Sequence, residues 1–374
     1  MRPGRRHWLA GALAACAGPA LAAEVPTADE DRIAAGRPLV FPRDHGAHPG
    51  ARIEWWYATG WLQAAGAPTG AMFGFQLTFF RSRTGLAAKL PGRFAPRQLL
   101  FAHAAVSDIA AGRHHHAQRI SRWSGDESLL EAHARRDDTA LRLGRWTLQR
   151  EPVDGRYQAQ LAAPEAGFSL ALSLLPSQPL LLQGDAGFSR KGPAPQHASH
   201  YYSQPQLAVS ATLRLDGRTL QASGRGWLDH EWSDELLAPG AIGWDWIGIN
   251  LLDGGALTAF VLRRADGSVL WAGGSHRPAG GAVRNFAPGE VEFTPLRRWT
   301  SPATGAAYPV QWRISTPLGR LELRALLDAQ ELDSRASTGT VYWEGLAELL
   351  APGGARLGLG YLEMTGRVQP LRLS

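Results

Sequence analysis

The chain has one cysteine in its 374 residues, Cys16, and it lies within the first segment of the sequence. No disulfide framework can hold the mature protein together, so its stability must come from a packed core. Lysine is almost as scarce: Lys89 and Lys191 stand alone, and the positive charge rests on scattered arginines with no basic stripe. Nucleic acid is therefore not an expected partner. Glycine-rich phosphate loops of the P-loop or dinucleotide type are missing, which argues against nucleotide chemistry and against a bound cofactor of that kind. No Gly-x-Ser-x-Gly elbow and no His-Glu-x-x-His string occurs, which disfavours a serine hydrolase and a helix-borne zinc site. Long amphipathic helix patterns are also lacking.

What is present begins with a basic head, Met1 to His7, followed by an apolar, alanine-rich run from Trp8 to Ala22. This is the layout of a secretory signal peptide over residues 1–22, too short for a permanent membrane span. The expected product is periplasmic or secreted, without a membrane association. Leu13-Ala14-Ala15-Cys16 fits a lipoprotein processing site as well, so anchoring at Cys16 stays open as the alternative. The Arg5-Arg6 pair also leaves twin-arginine export open. About 350 residues remain after the leader, enough for two domains.

Beyond a polar stretch from Glu24 to Gly36, the chain alternates with period two. In Arg52 to Leu62, Trp55, Tyr57, Thr59 and Trp61 fall on one face; in Met72 to Phe80, Phe73, Phe75, Leu77 and Phe79 do. Similar runs recur, among them Gln98–Ser107, Ala140–Gln149, Tyr157–Ala162, Phe168–Leu175, Gln206–Leu215, Thr219–Trp227, Trp244–Leu252, Ala256–Arg264, Thr340–Leu350 and Gly358–Gly366. Turns such as Asp216-Gly217 and Asp253-Gly254-Gly255 separate several of them, as hairpins require. The fold class is all-β, built of antiparallel strands. Trp55 to Arg81 and Trp244 to Arg264 share one grammar of strand, glycine turn, apolar strand and arginine, which favours two similar β domains. Their boundary is expected near Leu236 to Gly240, giving domains 40–236 and 237–374. Barrels of this kind hold apolar ligands in the mouth or lumen.

The densest chemistry is Trp227-Leu228-Asp229-His230-Glu231-Trp232, followed by Gly243-Trp244-Asp245-Trp246. Carboxylates and an imidazole among indoles are an environment that moves a pKa. Acid-catalysed hydration of a carbon–carbon double bond needs a proton donor, stabilisation of a tertiary cation, and a water. In this reading Asp229 or Asp245 is the acid, His230 orients it or activates the water, and Glu231 adds a further carboxylate. Trp232, Trp244 and Trp246 line the cation site. Strand geometry places Asp229 and Glu231 on one face and His230 and Trp232 on the other, so the four share a pocket only if the strand bends. The competing reading is a hydrogen-bonded corner that closes a barrel. Glu54 has the same two readings, with Arg81 or His103 as the partner in the structural one. Asp44, His45 and His48 have ligand-like spacing, and His114-His115-His116 form a run placed in an exposed turn; no functional metal is expected from either.

These strings together resemble the carotenoid 1,2-hydratase-like proteins, a bacterial family related to hydroxyneurosporene synthase and to the attachment-locus protein AttH. The resemblance runs through Asp44-His45-Gly46-Ala47-His48-Pro49, Glu54-Trp55-Trp56-Tyr57, Gly74 to Arg81, Phe101-Ala102-His103, Tyr201-Tyr202-Ser203, the two tryptophan strings above and Tyr342-Trp343-Glu344-Gly345. It implies two lipocalin-like antiparallel β-barrel domains in tandem, secreted, with a hydrophobic small molecule or lipid as partner. Glu54, Trp55, Trp56, Gln76, His103, Tyr201, Tyr202, Trp232, Trp244, Trp246, Tyr342 and Glu344 become the expected ligand-binding residues. Arg367 departs from the family pattern, which leads one to expect an aromatic there. Three roles follow: a hydratase of an isoprenoid or other apolar substrate, a carrier serving an ABC transport system, or an envelope interaction protein. A carrier predicts that filling the cavity, for example at Gly74 or Gly248, blocks binding.

Overall fold

The computed structural model describes residues 31–66, 71–85, 96–128 and 131–372, so the expected leader over residues 1–22, with Cys16, lies outside the described residues. The first sheet contains β1 (Ile53–Ala64), β2 (Met72–Arg83), β3 (Gln98–Asp108), β4 (Arg113–Trp123), β5 (Ala132–Ala134), β6 (Ala140–Leu143), β7 (Trp146–Arg150), β8 (Tyr157–Ala163), β9 (Phe168–Leu175), β10 (Leu181–Leu182), β11 (Phe188–Arg190), β12 (Ala198–Leu215) and β13 (Arg218–Ser233). The second contains β14 (Gly243–Leu251), β15 (Ala256–Arg263), β16 (Val269–Arg277), β17 (Arg284–Asn285), β18 (Glu292–Thr300), β19 (Ala307–Thr316), β20 (Gly319–Ala325), β21 (Glu331–Ser334), β22 (Thr340–Leu350) and β23 (Arg356–Met364). Among the described residues, no helix is long and apolar enough to cross a membrane.

Every pairing is antiparallel, and the two sheets repeat one plan. In the first, β1 lies between β2 and the last strand β13; in the second, β14 lies between β15 and the last strand β23. The first sheet curls until β4 comes against β5 and β6, making a nearly closed barrel. Each lumen is filled. Trp56, Phe75, Leu77, Leu148, Tyr157, Leu174, Leu213 and Leu228 belong to one core; Ile247, Leu257, Tyr308, Trp312, Leu323, Trp343 and Leu362 belong to the other. The expected ligand space inside a barrel is thus taken up by side chains, in line with the close packing of protein interiors.

A third, smaller core lies between the barrels, where Tyr57, Trp227, Trp246, Leu346 and Tyr361 meet. Its position follows from the alternation. Strands with aromatics on both faces bury one face in the barrel and offer the other to the neighbouring barrel. A bulge in β12 between Gln204 and Leu207 adds a polar clasp. There Gln206 takes a left-handed φ of 58°, and its side-chain amide donates to the carbonyls of Leu251 and Gly255 while its N–H donates to Asn250.

The sequence reading needs correction in places. Ala140–Gln149 is not one strand but a hairpin, β6 and β7, turning at Gly144, whose φ of 61° suits glycine. His114–His116 belong to strand β4 rather than to an exposed turn.

Candidate active site

Glu54 and Arg81 face each other across β1 and β2 and point into the first barrel, where both are buried. The Arg81 Nε donates to Glu54 at 2.7 Å, and its other nitrogens donate to Gln98 and to the carbonyls of His48 and Ala51. Glu54 also accepts from the His48 backbone N–H at 2.9 Å, from His48 Nδ1 at 2.7 Å and from His230 Nε2 at 2.9 Å. Burial works against the Glu54 charge, but Arg81, His48 and His230 outweigh it and hold the carboxyl well below its ordinary range. Both ring nitrogens of His48 face carboxylates, Nε2 standing 3.1 Å from Asp44. Burial pulls that ring down, yet Glu54 and Asp44 together raise it, so the imidazolium is favoured. His230 donates to Glu54 and is left neutral by burial, its Nδ1 free to accept from the Tyr202 hydroxyl at 3.2 Å. Trp232 stacks on His48 at 3.7 Å and Trp56 on His230 at 4.5 Å.

His48, Glu54 and His230 have metal-ligand composition, with ligand atoms within 4.8 Å of one another. Those atoms are spent on one another, on Asp44, on Tyr202 and on Arg81, so the trio reads as a charge-balanced corner.

The second barrel repeats the device. Asp245 of β14 forms ion pairs with Arg263 of β15 at 2.8 Å and with Arg367 at 2.6 Å. Arg263, the neighbour of the Arg264 that closes the second echoing segment, therefore does for Asp245 what Arg81 does for Glu54. Arg367 also lies 5.8 Å from the Trp312 ring centroid, a cation held where an aromatic was expected.

Because side chains alternate, the residues between these inner-face groups project outward, into a cavity of about 130 Å³ between the barrels. The first barrel contributes Trp55, Tyr57, Phe80, Phe101, His103, Lys191, Tyr201, Asp229 and Glu231 to its walls. The second contributes Trp244, Trp246, Phe260, Leu262, Tyr342, Glu344 and Glu363, and the connecting segment adds Leu236 and Leu237. An apolar, aromatic lining with few polar groups is the usual make-up of a small-molecule site.

Asp229 lies opposite Tyr57 on β1 and Ser203 on β12. The Ser203 hydroxyl and the Trp227 indole N–H donate to its Oδ1 at 2.5 and 2.8 Å. Burial pushes this carboxyl up to about 8, against the pull of those donors and of the Tyr201 hydroxyl. The acid is protonated near neutrality, and with the Ser203 and Trp227 donors on Oδ1 its proton belongs on Oδ2. Glu231, two residues on, accepts from Lys191 at 3.2 Å, and that ammonium lies 5.6 Å from the Trp55 ring centroid. Across the cavity, Glu344 and Glu363 are register partners on β22 and β23. Burial raises both, Glu363 to about 7, and the Glu363 charge pushes Glu344 further up. His103 links the walls, bonded to Tyr342 at 2.7 Å and to Ser337 at 2.8 Å, and burial lowers it to about 3.

Of the sequence-predicted residues, Asp229, Glu231, Trp55, His103, Tyr201, Trp244, Trp246, Tyr342 and Glu344 border the cavity, and Glu54 touches its edge while its carboxylate is bonded inside the first barrel. His230, Trp56, Tyr202 and Trp232 lie in the inner corner, and Asp245 is clasped by two arginines on the inner face of the second barrel. Gln76 donates to Thr78 and does not border the cavity. The strand carrying Asp229 to Trp232 runs on in register with β1, and its two faces stay apart: Asp229 and Glu231 border the cavity, while His230 and Trp232 lie in the inner corner. Sequence reasoning missed Lys191, Tyr57 and Glu363; the one signal for Glu363 was a lone carboxylate in the last apolar strand.

Gly74 and Gly248 are not open positions in the cavity. A Cβ at Gly74 would meet Tyr361 and Leu346, and one at Gly248 would meet the Trp246 and Trp227 indoles. Gly248→Ala must therefore displace an indole that walls the cavity. The expected cost is about 1–3 kcal/mol, read as a lowered Tm together with a changed near-ultraviolet spectrum of the tryptophans. An unchanged Tm would mean that the indole relocates freely.

Two antiparallel sheets on one plan, each pairing its first strand with its last and the first curled into a nearly closed barrel, with acids and indoles on the outer faces between them, define a tandem lipocalin-like protein with a cavity between its two halves. The AttH-like family model matches residues 32–367, and the chain belongs to that family. It is similar to the crystal structure of a candidate AttH from Nitrosomonas europaea, with 47% identity over 90% of this chain and 99% of that one, at a TM-score of 0.81. Kievitone hydratase from Nectria haematococca shares the fold at a TM-score of 0.65, with 13% identity over 88% of this chain and 94% of the other. No curated protein matches the sequence.

Proposed function

We propose that the chain is a hydratase, adding water to, or removing it from, an apolar molecule held between the barrels, with Asp229 as the acid. The observation that carries this reading is a buried carboxyl on the wall of an indole-lined cavity, with the Ser203 and Trp227 donors on one of its oxygens. The Asp229 Oδ2 proton passes to one carbon of a double bond, and the electron pair of that bond forms the new C–H bond. The cation left on the neighbouring carbon sits against the faces of Trp55, Trp244 and Trp246, each such contact contributing about 0.5–2 kcal/mol. Water adds to the cation and returns a proton to the Asp229 carboxylate, which Ser203 and Trp227 stabilise while it is charged. That a hydratase uses the same two-barrel frame supports the reading, as does the protonated state of Asp229. The leader over residues 1–22 supports action outside the cytoplasm.

The test is native mass spectrometry with solvent extraction of the protein purified from its own host, wild type beside Asp229→Asn. Wild type is expected to yield a molecule that differs by one water from the form retained by the variant. The same unaltered molecule on both proteins would instead identify a carrier.

A further inference from the structure

Two groups on the cavity walls, one from each barrel, have no hydrogen-bond partner among the described residues. Both carboxyl oxygens of Glu344 are unpartnered, although the residue is 1% exposed, and so is the hydroxyl of Tyr57 on the facing strand β1. The hydroxyls of Tyr57 and Tyr342 approach Glu344, yet neither closes a hydrogen bond on it; Tyr342 is bonded to His103. Buried polar atoms in a folded protein are nearly always paired, and leaving one unpaired is costly. The contrast with Asp229 is informative: its Oδ1 takes two closed hydrogen bonds from its own barrel, whereas the Tyr57 and Tyr342 hydroxyls stand near Glu344 without closing one on either oxygen. Around these two groups the lining is aromatic, with Trp246 edge-on to Tyr57 at 5.5 Å.

We infer that Glu344 and Tyr57 form a subsite for a hydroxyl group on the ligand, so the molecule taken into the cavity is an alcohol or phenol with an apolar body rather than a plain hydrocarbon. A hydroxyl fits because it donates and accepts at once, and it can give its proton to a Glu344 oxygen while accepting from the Tyr57 O–H. Tyr57 is the register partner of Asp229 on the first-barrel wall and Glu344 lies on the second, so the subsite holds the polar end of the ligand between the two walls while the apolar body extends along the indoles. The inference rests on the cavity proposed above as the reaction site, but it concerns recognition and is measured apart from turnover.

The test uses three probes that share one ethylbenzene body, para-ethylphenol, para-ethylanisole and ethylbenzene, titrated against the full chain by tryptophan fluorescence and calorimetry. The phenol is expected to bind about tenfold more tightly than ethylbenzene, the size of effect one good hydrogen bond to a buried acceptor gives. The anisole, which cannot donate, should bind like the hydrocarbon. In Glu344→Leu the phenol preference should fall about tenfold while ethylbenzene binding is kept, which shows that the cavity survives. If Glu344→Leu does not fold, Glu344→Gln should keep the preference and Tyr57→Phe should reduce it. Asp229→Asn should leave the ratio unaltered, which separates this inference from the catalytic one. Equal binding of phenol and ethylbenzene by wild type, or a preference unmoved in Glu344→Leu and Tyr57→Phe, overturns the subsite. Tighter binding of para-methylbenzylamine than of the phenol would assign the carboxyls to a cation and overturn it as well.

Discussion

Arg81→Ala is expected to be the most damaging single change in the first barrel, lowering Tm by on the order of 10 °C. The guanidinium is buried, and its nitrogens supply Glu54, Gln98 and two backbone carbonyls. Removing it leaves the Glu54 carboxylate in an apolar interior with only histidines to balance it. Breaking a buried pair from one side costs about 3–5 kcal/mol, a large share of the roughly 5–15 kcal/mol that holds a domain folded. For a barrel of this size each kcal/mol moves Tm by about 2–4 °C. Arg81→Lys keeps the charge but cannot reproduce the fork of donors, so it should recover only part of the loss. Arg335→Ala is the control: its pair with Asp333 is exposed, and its removal should leave Tm close to that of wild type. The corner also has a signed pH dependence. Glu54 and Asp44 titrate below their ordinary range in the folded protein, Asp44 because His48 and Arg43 outweigh its burial. Their stabilisation is present above the unfolded carboxylate range and is lost as pH falls through the lower folded values. An Arg81→Ala protein as stable as wild type near neutrality would show that the network is dispensable.

The alternation of Glu54-Trp55-Trp56-Tyr57 was enough to say that neighbours point to opposite sides, and so was that of Asp229 to Trp232. What it could not say is what each side faces. Trp56 and His230 look inward to the charged corner, and Trp55 and Asp229 look outward to the cavity. Deciding between the two requires knowing that a second sheet covers the outer face, which is a tertiary fact. Asp245 shows the same limit: it sits between two indoles in sequence, yet Arg263 and Arg367 claim it from the other side of the strand. Strands β4 and β18 escaped the sequence reading for a different reason. Both are edge strands with many arginines, His114 to His116 lying in one and Pro295 in the other, so their apolar alternation is weak. Charge and proline on an edge are what prevents pairing with another chain. The strings that were legible as rare tryptophan clusters were so because both faces of those strands are buried, one in a barrel and one between barrels.

Asp229→Asn should lower turnover by on the order of 10²–10⁴-fold, the usual contribution of a placed general acid, while leaving the fold and ligand uptake intact. Asparagine keeps the shape and still accepts from Ser203 and Trp227 at its carbonyl oxygen, but it has no proton to give. The pH profile makes the test specific. With the folded carboxyl at about 8, the active form is the protonated one, so wild-type activity should hold through neutrality and fall tenfold per unit above about pH 8. The residual rate of the variant should lack that limb. Stability moves the same way. Between the ordinary value of 3.8 and about 8 the folded state holds a proton that the unfolded chain releases, so this residue's contribution is full below 3.8 and is lost as pH rises through about 8. Thermal melts at about pH 5 and pH 8 should therefore show a larger drop in Tm for wild type than for Asp229→Asn. A variant that keeps the alkaline limb would place the acid on Glu344 or Glu363, across the cavity, and would reverse the direction in which the substrate lies between the two barrels.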